Sequence, residues 1–219
     1  MKLTKQQIEE IDNRLEQDGI KYWDIRIELL DHVVTDIENR LEKGEELERA
    51  VTNSFNSLGW NGDLKQINRE GWQNVNNRFR REYHKGFLNF FKSLKNSSLF
   101  VLGVVVFNFL SSVLTFSVFK NVCVIAFGLP LVFVIYSYAT VLIKKYGKSV
   151  NLDYGLFYLI LSFLILQAIP IFFKNQTELT QKIVWISILS IHYVSIYAGY
   201  NLYKKAVSKV ESIRNQLLS

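Results

Sequence analysis

Residues 96–119 read NSSLFVLGVVVFNFLSSVLTFSVF, twenty-four positions without one charged side chain. A helix rises 1.5 Å per residue, so roughly 20 apolar residues cross the ~30 Å hydrocarbon core of a bilayer. Three further stretches pass the same test: residues 121–143, 154–173 and 183–203, of 23, 20 and 21 residues. A surface helix of a water-soluble protein keeps a charged face. These four keep none, and they read as membrane spans. Pro130 and Pro170 fall inside the second and third, where they predict kinks.

The charge distribution separates the chain into two parts. Residues 1–95 hold 16 Lys/Arg against 17 Asp/Glu, whereas residues 96–219 hold 10 against 3, so a net −1 precedes a net +7. A mean hydropathy near zero conceals this split. Two prolines and a single cysteine exclude a proline-rich linker protein, a disulfide scaffold and a multi-cysteine zinc site. The first twenty residues carry eight charges and no apolar core of a signal peptide, so the N-terminal part is expected to stay in the cytoplasm. Loop charges agree. Arg78, Arg80, Arg81, Lys85, Lys92 and Lys95 precede span one; Lys144, Lys145 and Lys148 lie between spans two and three; Lys204, Lys205, Lys209 and Arg214 follow span four. Only Lys120, Lys174 and Lys182 fall on the other side. Thirteen against three predicts both termini in the cytoplasm of a cell whose plasma (inner) membrane the chain crosses four times.

Residues 1–75 read as a helical bundle throughout. Thr4-Lys5-Gln6-Gln7 has capping-box form, followed by Ile8, Ile11 and Leu15 before Gly19. Trp23, Ile27, Leu30, Val34, Ile37 and Leu41 alternate steps of four and three and predict the core face of a second helix, stopped by Gly44. Leu47, Ala50, Val51, Ser54, Phe55 and Leu58 predict a third, closed by Gly59, and Asp63 can cap a fourth. No stretch shows the alternation of a strand. The expected fold is all-α: a small cytoplasmic bundle followed by four transmembrane helices and a basic tail over residues 204–219.

Residues 76–95 form a unit of their own, with a charge of +5 and interleaved aromatics. Phe79, Tyr83, Phe87 and Phe91 repeat every four residues. Next to a spanning helix, that pattern predicts an amphipathic helix lying on an anionic leaflet, with Arg78, Arg80, Arg81, Lys85, Lys92 and Lys95 toward headgroups. Nucleic acid is the weaker reading, because residues 1–75 carry −6 and would repel phosphates.

The run Asp24-Ile25-Arg26-Ile27-Glu28-Leu29-Leu30-Asp31-His32, then Gly44, Ala50 and Ser57-Leu58-Gly59-Trp60, resembles the HAAS-like helical modules of bacterial membrane proteins associated with anti-sigma factors and PadR-type regulators. Trp60 stands where those modules carry a proline. The resemblance covers roughly residues 4–68 and implies an adaptor or regulatory membrane protein, with no catalytic residues to carry over.

Chemistry-bearing residues are few. His32 has Glu28, Asp31 and Asp36 near it, but one histidine among carboxylates is poor zinc spacing and reads as salt-bridged. His84 reads as an interfacial polar residue and Cys123 as a small apolar one. No Walker loop, GxGxxG, HExxH or GxSxG pattern occurs, and no catalytic residue, cofactor or metal is assigned. Within the spans the polar residues are Asn108, Gln167 and His192. Asn108 and His192 match in depth, which predicts a hydrogen bond between their helices, and Ser195-x-x-x-Gly199 predicts a close helix contact on the His192 face. The function expected is a regulatory or scaffolding membrane protein with the lipid bilayer and a cytoplasmic protein, or further copies of itself, as partners. The alternative is a subunit of a small oligomeric transporter or channel, disfavoured because no carboxylate lies within a span.

Overall fold

A computed structural model describes residues 2–60 and 63–218, with side chains through Asn215. Among them only helices occur: α1 (Lys5–Gln17), α2 (Trp23–Glu42), α3 (Leu47–Ser57), α4 (Lys65–Phe90), α5 (Leu94–Val113), α6 (Phe116–Ile143), α7 (Val150–Leu166), α8 (Ile169–Phe172) and α9 (Glu178–Leu218). The fold is all-α. Contacts divide the chain into two compact units. The first contains the chain up to Asn77 together with Tyr146–Asn151; the second contains Arg78–Lys145 and the chain from Leu152 on.

In the first unit, local sequence sets the helix ends. The Gln7 amide donates to Thr4 Oγ1, and the Thr4 amide donates to Gln7 Oε1 at 2.8 Å, the reciprocal bonds of a capping box. Gly19, Gly44 and Gly59 follow α1, α2 and α3 with positive φ, where a side chain would be strained. Asp63 accepts from the Lys65 amide at the start of α4. Ile11 and Leu15 of α1, Ala50 and Phe55 of α3, and Ile20 and Leu64 beside them are buried.

The face of α2 differs from the expected one. Ile25, Val33 and Ile37 are its buried apolar residues, whereas Trp23, Ile27, Leu30, Val34 and Leu41 are only half-buried. The helix carries apolar side chains on overlapping stripes. The straight i, i+4 row through Ile25 and Ile37 faces α1 and α3, and the 3–4 stripe runs along its edge. Arg26 also lies between the helices, 2.9 Å from Asp12 and 3.0 Å from Glu16. On the next turns Arg40 sits 2.8 Å from Asp36 and holds that carboxyl below its ordinary range.

In the second unit, four helices are long and apolar enough to cross a membrane: Leu94–Val113, Phe116–Ile143, Val150–Phe172 and Glu178–Asn215. Three boundaries depart from the sequence expectation. The first turn between spans lies at Leu114–Thr115, and Lys120 is inside α6. Two of the carbonyls that end α5 find partners: that of Leu110 accepts from the Leu114 amide at 3.0 Å and that of Ser111 from Lys182 Nζ at 2.7 Å, while the Ser111 and Ser112 hydroxyls donate back to the Asn108 and Phe109 carbonyls. Pro170 breaks its span instead of kinking it. Its ring would meet the carbonyl of Leu166, which is where α7 stops, and it occupies the first turn of α8 instead. Pro130, by contrast, lies inside a continuous α6. Finally, the residues after span four continue α9 as helix.

The first half of the aromatic stripe expected to lie on the membrane surface is inside the protein. Phe79 and Tyr83 are buried, as is Phe90. Tyr83 and Tyr158 rings stand 5.2 Å apart, Phe79 and Tyr154 6.1 Å, Phe90 and Tyr197 5.1 Å. This half of α4 packs on α7 and α9 because those helices offer aromatic partners at matching levels. Phe87 is half-buried, and Phe91 keeps an exposed ring. Arg80, Arg81, Lys85, Lys92 and Lys95 are exposed and Arg78 is half-buried, so the charges remain outside while Phe79 and Tyr83 turn inward.

Candidate functional site

A dense polar constellation gathers on Asp24, a residue that sequence reading named only as the start of the run resembling HAAS-like modules. Asp24 is buried. Its Oδ2 accepts from Ser149 Oγ at 2.7 Å, from the Asn151 amide at 3.0 Å and from Asn151 Nδ2 at 2.7 Å. Its Oδ1 accepts from the Val150 amide at 3.1 Å. Val150 and Asn151 open α7, whose first amides have no partner within the helix. The carboxylate thus caps a helix that starts 126 residues further along the chain, where the positive end of the helix dipole favours it.

Trp23 completes the arrangement. Its amide donates to the Lys148 carbonyl at 3.1 Å, and its indole Nε1–H donates to the Tyr146 carbonyl at 2.8 Å. Gly147 lies over the indole with φ 74°, and a Cβ there would stand 3.3 Å from Trp23 Cδ1. The α6–α7 loop is therefore a built part of the first unit, held by six hydrogen bonds to two consecutive residues. The four to the Asp24 carboxylate are buried and charge-assisted, which makes them the strong ones. Nothing local to residue 24 announces this role. The one local sign at the other end is Ser149-Val150-Asn151, whose serine is of the type that opens helices.

The polar residues of the spans are not brought together. Asn108 is exposed, and its Nδ2 donates to the Val104 carbonyl of its own helix at 2.9 Å. The expected Asn108–His192 bond does not form, because the amide satisfies itself within α5. Gln167 is exposed in the turn between α7 and α8. His192 is buried at 2% exposure between the rings of Phe127, 4.2 Å away, and Phe163, 4.4 Å away. Neither of its nitrogens makes a hydrogen bond of good geometry; the Phe127 backbone is a weaker contact. The Ser195–Gly199 face, however, is a helix contact: a Cβ on Gly199 would fall 2.5 Å from the Tyr158 carbonyl oxygen. In the first unit His32 is exposed. Burial pushes the ionisation of the Tyr83 phenol to higher pH than its ordinary range, against a smaller lowering by the Ser195 hydroxyl.

An all-α chain with four helices of membrane-crossing length and composition has the make-up of a multi-pass membrane protein. No family model, curated protein or solved structure matches it.

Proposed function

We propose that this is a regulatory or scaffolding protein of the plasma (inner) membrane, whose N-terminal helical unit lies in the cytoplasm and docks a protein partner. One observation carries the reading: the loop between two spans is folded into the helical unit through Trp23 and Asp24. A unit that merely hung from a membrane anchor would have no use for a buried carboxylate at the start of α7. A partner that shifts α2 pulls on that helix, and a change in the spans reaches α2 by the same bonds. The resemblance of residues 4–68 to HAAS-like modules supports the same reading.

The test places photo-crosslinking residues at exposed positions of α2 (Glu28, Asp31 and Thr35) in the full chain in cells, with and without Asp24→Ala. A discrete protein adduct is expected, and Asp24→Ala should change its yield. Amide exchange at residues 150–155 should speed by roughly tenfold or more, as befits lost bonds to a buried charge worth about 1.5–3 kcal/mol each. No adduct in the parent chain, or identical adducts and exchange in both proteins, would defeat the proposal.

A further inference from the structure

Between the end of α4 and helices α7 and α9, the second unit holds a groove of about 310 Å³. Tyr83, His84 and Phe87 contribute from α4, Leu161 and Ile165 from α7, and Ile191 from α9. Its depth follows from the way α4 runs along α9. Lys205 lies just beyond the uncharged residues 183–203, and its Nζ stands 3.3 Å from Glu82. Further along α4, a Cβ on Gly86 would stand 3.4 Å from Ala198 Cβ, and the Phe90 ring lies 5.1 Å from that of Tyr197. The end of α4 therefore enters the depth of the spans, antiparallel to α9. Ile191 is twelve residues inside the uncharged stretch, about 18 Å at 1.5 Å per residue, so the groove reaches the middle of the ~30 Å hydrocarbon core.

Cations gather at the shallow end. Arg81, His84, Lys85 and Leu88 follow one another by steps of three, one and three, share one face of α4, and are all exposed. That face is basic near the Glu82–Lys205 pair and apolar at Leu88, toward the membrane interior. Residues 78–85 carry a net +3, and their one acid, Glu82, is already engaged by Lys205. His84 belongs to the basic face and also lines the groove, so the two features are continuous. We propose that the groove binds one acyl chain of a phospholipid whose anionic headgroup rests on Arg81 and Lys85. An arginine fork takes two phosphate oxygens at once, and a lysine adds a point charge. The walls suit a hydrocarbon chain, because no Lys, Arg, Asp or Glu lines the groove to pair with a deep charge. An occupant that meets both ends has an anion at the boundary and a chain in the core, which is how a bilayer presents phospholipid. The inference rests on the spans crossing a membrane and is independent of the regulatory role proposed above.

The experiment titrates the full chain in neutral detergent micelles with dioleoyl phosphatidylglycerol or dioleoyl phosphatidylcholine, and native mass spectrometry counts the retained lipid. One phosphatidylglycerol should be held saturably, about tenfold or more tighter than phosphatidylcholine. Arg81→Gln with Lys85→Gln should weaken it about fivefold for each cation removed. The same loss of charge in Lys145→Gln with Lys204→Gln, both exposed and outside the groove, should leave it near the parent. Ile165→Trp, on the groove wall yet exposed, should abolish saturable retention, whereas Ile135→Trp on the exposed side of α6 should not. If Ile165→Trp fails to fold, Ile191→Trp on the α9 wall replaces it. Glycerophosphoglycerol, the headgroup without chains, should not displace the lipid at equal concentration. Equal affinity for the two lipids, absent saturation, equal losses in the two lysine- and arginine-depleted pairs, parent-like retention by a folded groove-wall tryptophan variant, or displacement by the bare headgroup would each overturn the proposal.

Discussion

Ile37 is fully enclosed, while Leu30, on the same helix, keeps part of its surface in contact with solvent. Core truncations cost the transfer free energy of the lost atoms plus that of the cavity left behind, about 2–5 kcal/mol for Ile or Leu to Ala. A half-buried side chain leaves no closed cavity and loses less. Ile37→Ala should therefore lower the unfolding midpoint of the first unit by several degrees, and Leu30→Ala by less than half as much. Tryptophan fluorescence of the full chain during thermal unfolding in detergent would follow this through Trp23. Equal losses for the two variants, or a larger loss for Leu30→Ala, would restore the 3–4 stripe as the core face. The reason sequence reading chose that stripe is physical. Periodicity finds the apolar side of a helix, but α2 has neighbours on two sides, and an apolar arc that wide does not say which edge points inward.

Among the elements, α7 and α9 meet backbone to backbone. A Cβ on Gly199 would stand 2.5 Å from the Tyr158 carbonyl oxygen and 2.9 Å from Leu159 Cα, and one on Gly155 2.9 Å from Ala206 Cβ. Backbone on backbone cannot move aside as a flexible side chain can. Gly199→Leu should separate the helices and lower the detergent melting temperature sharply, corresponding to about 3 kcal/mol or more of overpacking. Gly128→Leu on α6, where a Cβ meets nothing within 4 Å, is the matched control and should melt near the parent. A parent-like melt for Gly199→Leu would mean that the two helices do not touch there. Much of this level was legible beforehand. Charge-free length located every span, and small residues four apart located the Gly199 contact. Turns of two residues were not legible, because Leu114-Thr115 carries neither charge, glycine nor proline, and the nearest charge, Lys120, belongs to the next helix. The Asp24 site was illegible for a different reason: its donors lie 125 or more residues away, and nothing in a single sequence says which distant residue caps that helix start.

At the scale of the whole chain, two contacts bear on topology independently of the loop charges. Tyr146–Asn151 folds with the N-terminal unit, so the α6–α7 loop and residues 2–60 must share one side of the membrane if α5 and α6 each cross once. Near the end of α9, Lys144 Nζ lies 2.7 Å from Glu211, and Arg214 donates to the Lys144 carbonyl at 2.9 Å. That brings the C-terminal part of α9 to the same end of the spans as the loop. The opposite end carries the Lys182–Ser111 bond and the Leu114–Thr115 turn. The excess of Lys and Arg at the first end is what the proposed cytoplasmic orientation rests on. The native Cys123 is buried, so single introduced cysteines report on their own positions. Ser57→Cys and Lys148→Cys, both exposed sites, should react with a membrane-impermeant maleimide only after lysis. Asn175→Cys, exposed between α8 and α9, should react in intact cells once any outer barrier is permeabilised. The informative failure is a split between Ser57 and Lys148. Opposite labelling of those two would contradict the Asp24 clamp itself, because no carboxylate can cap a helix across a bilayer. Joint labelling from outside would leave the clamp intact and reverse only the orientation, which rests on the charge asymmetry alone.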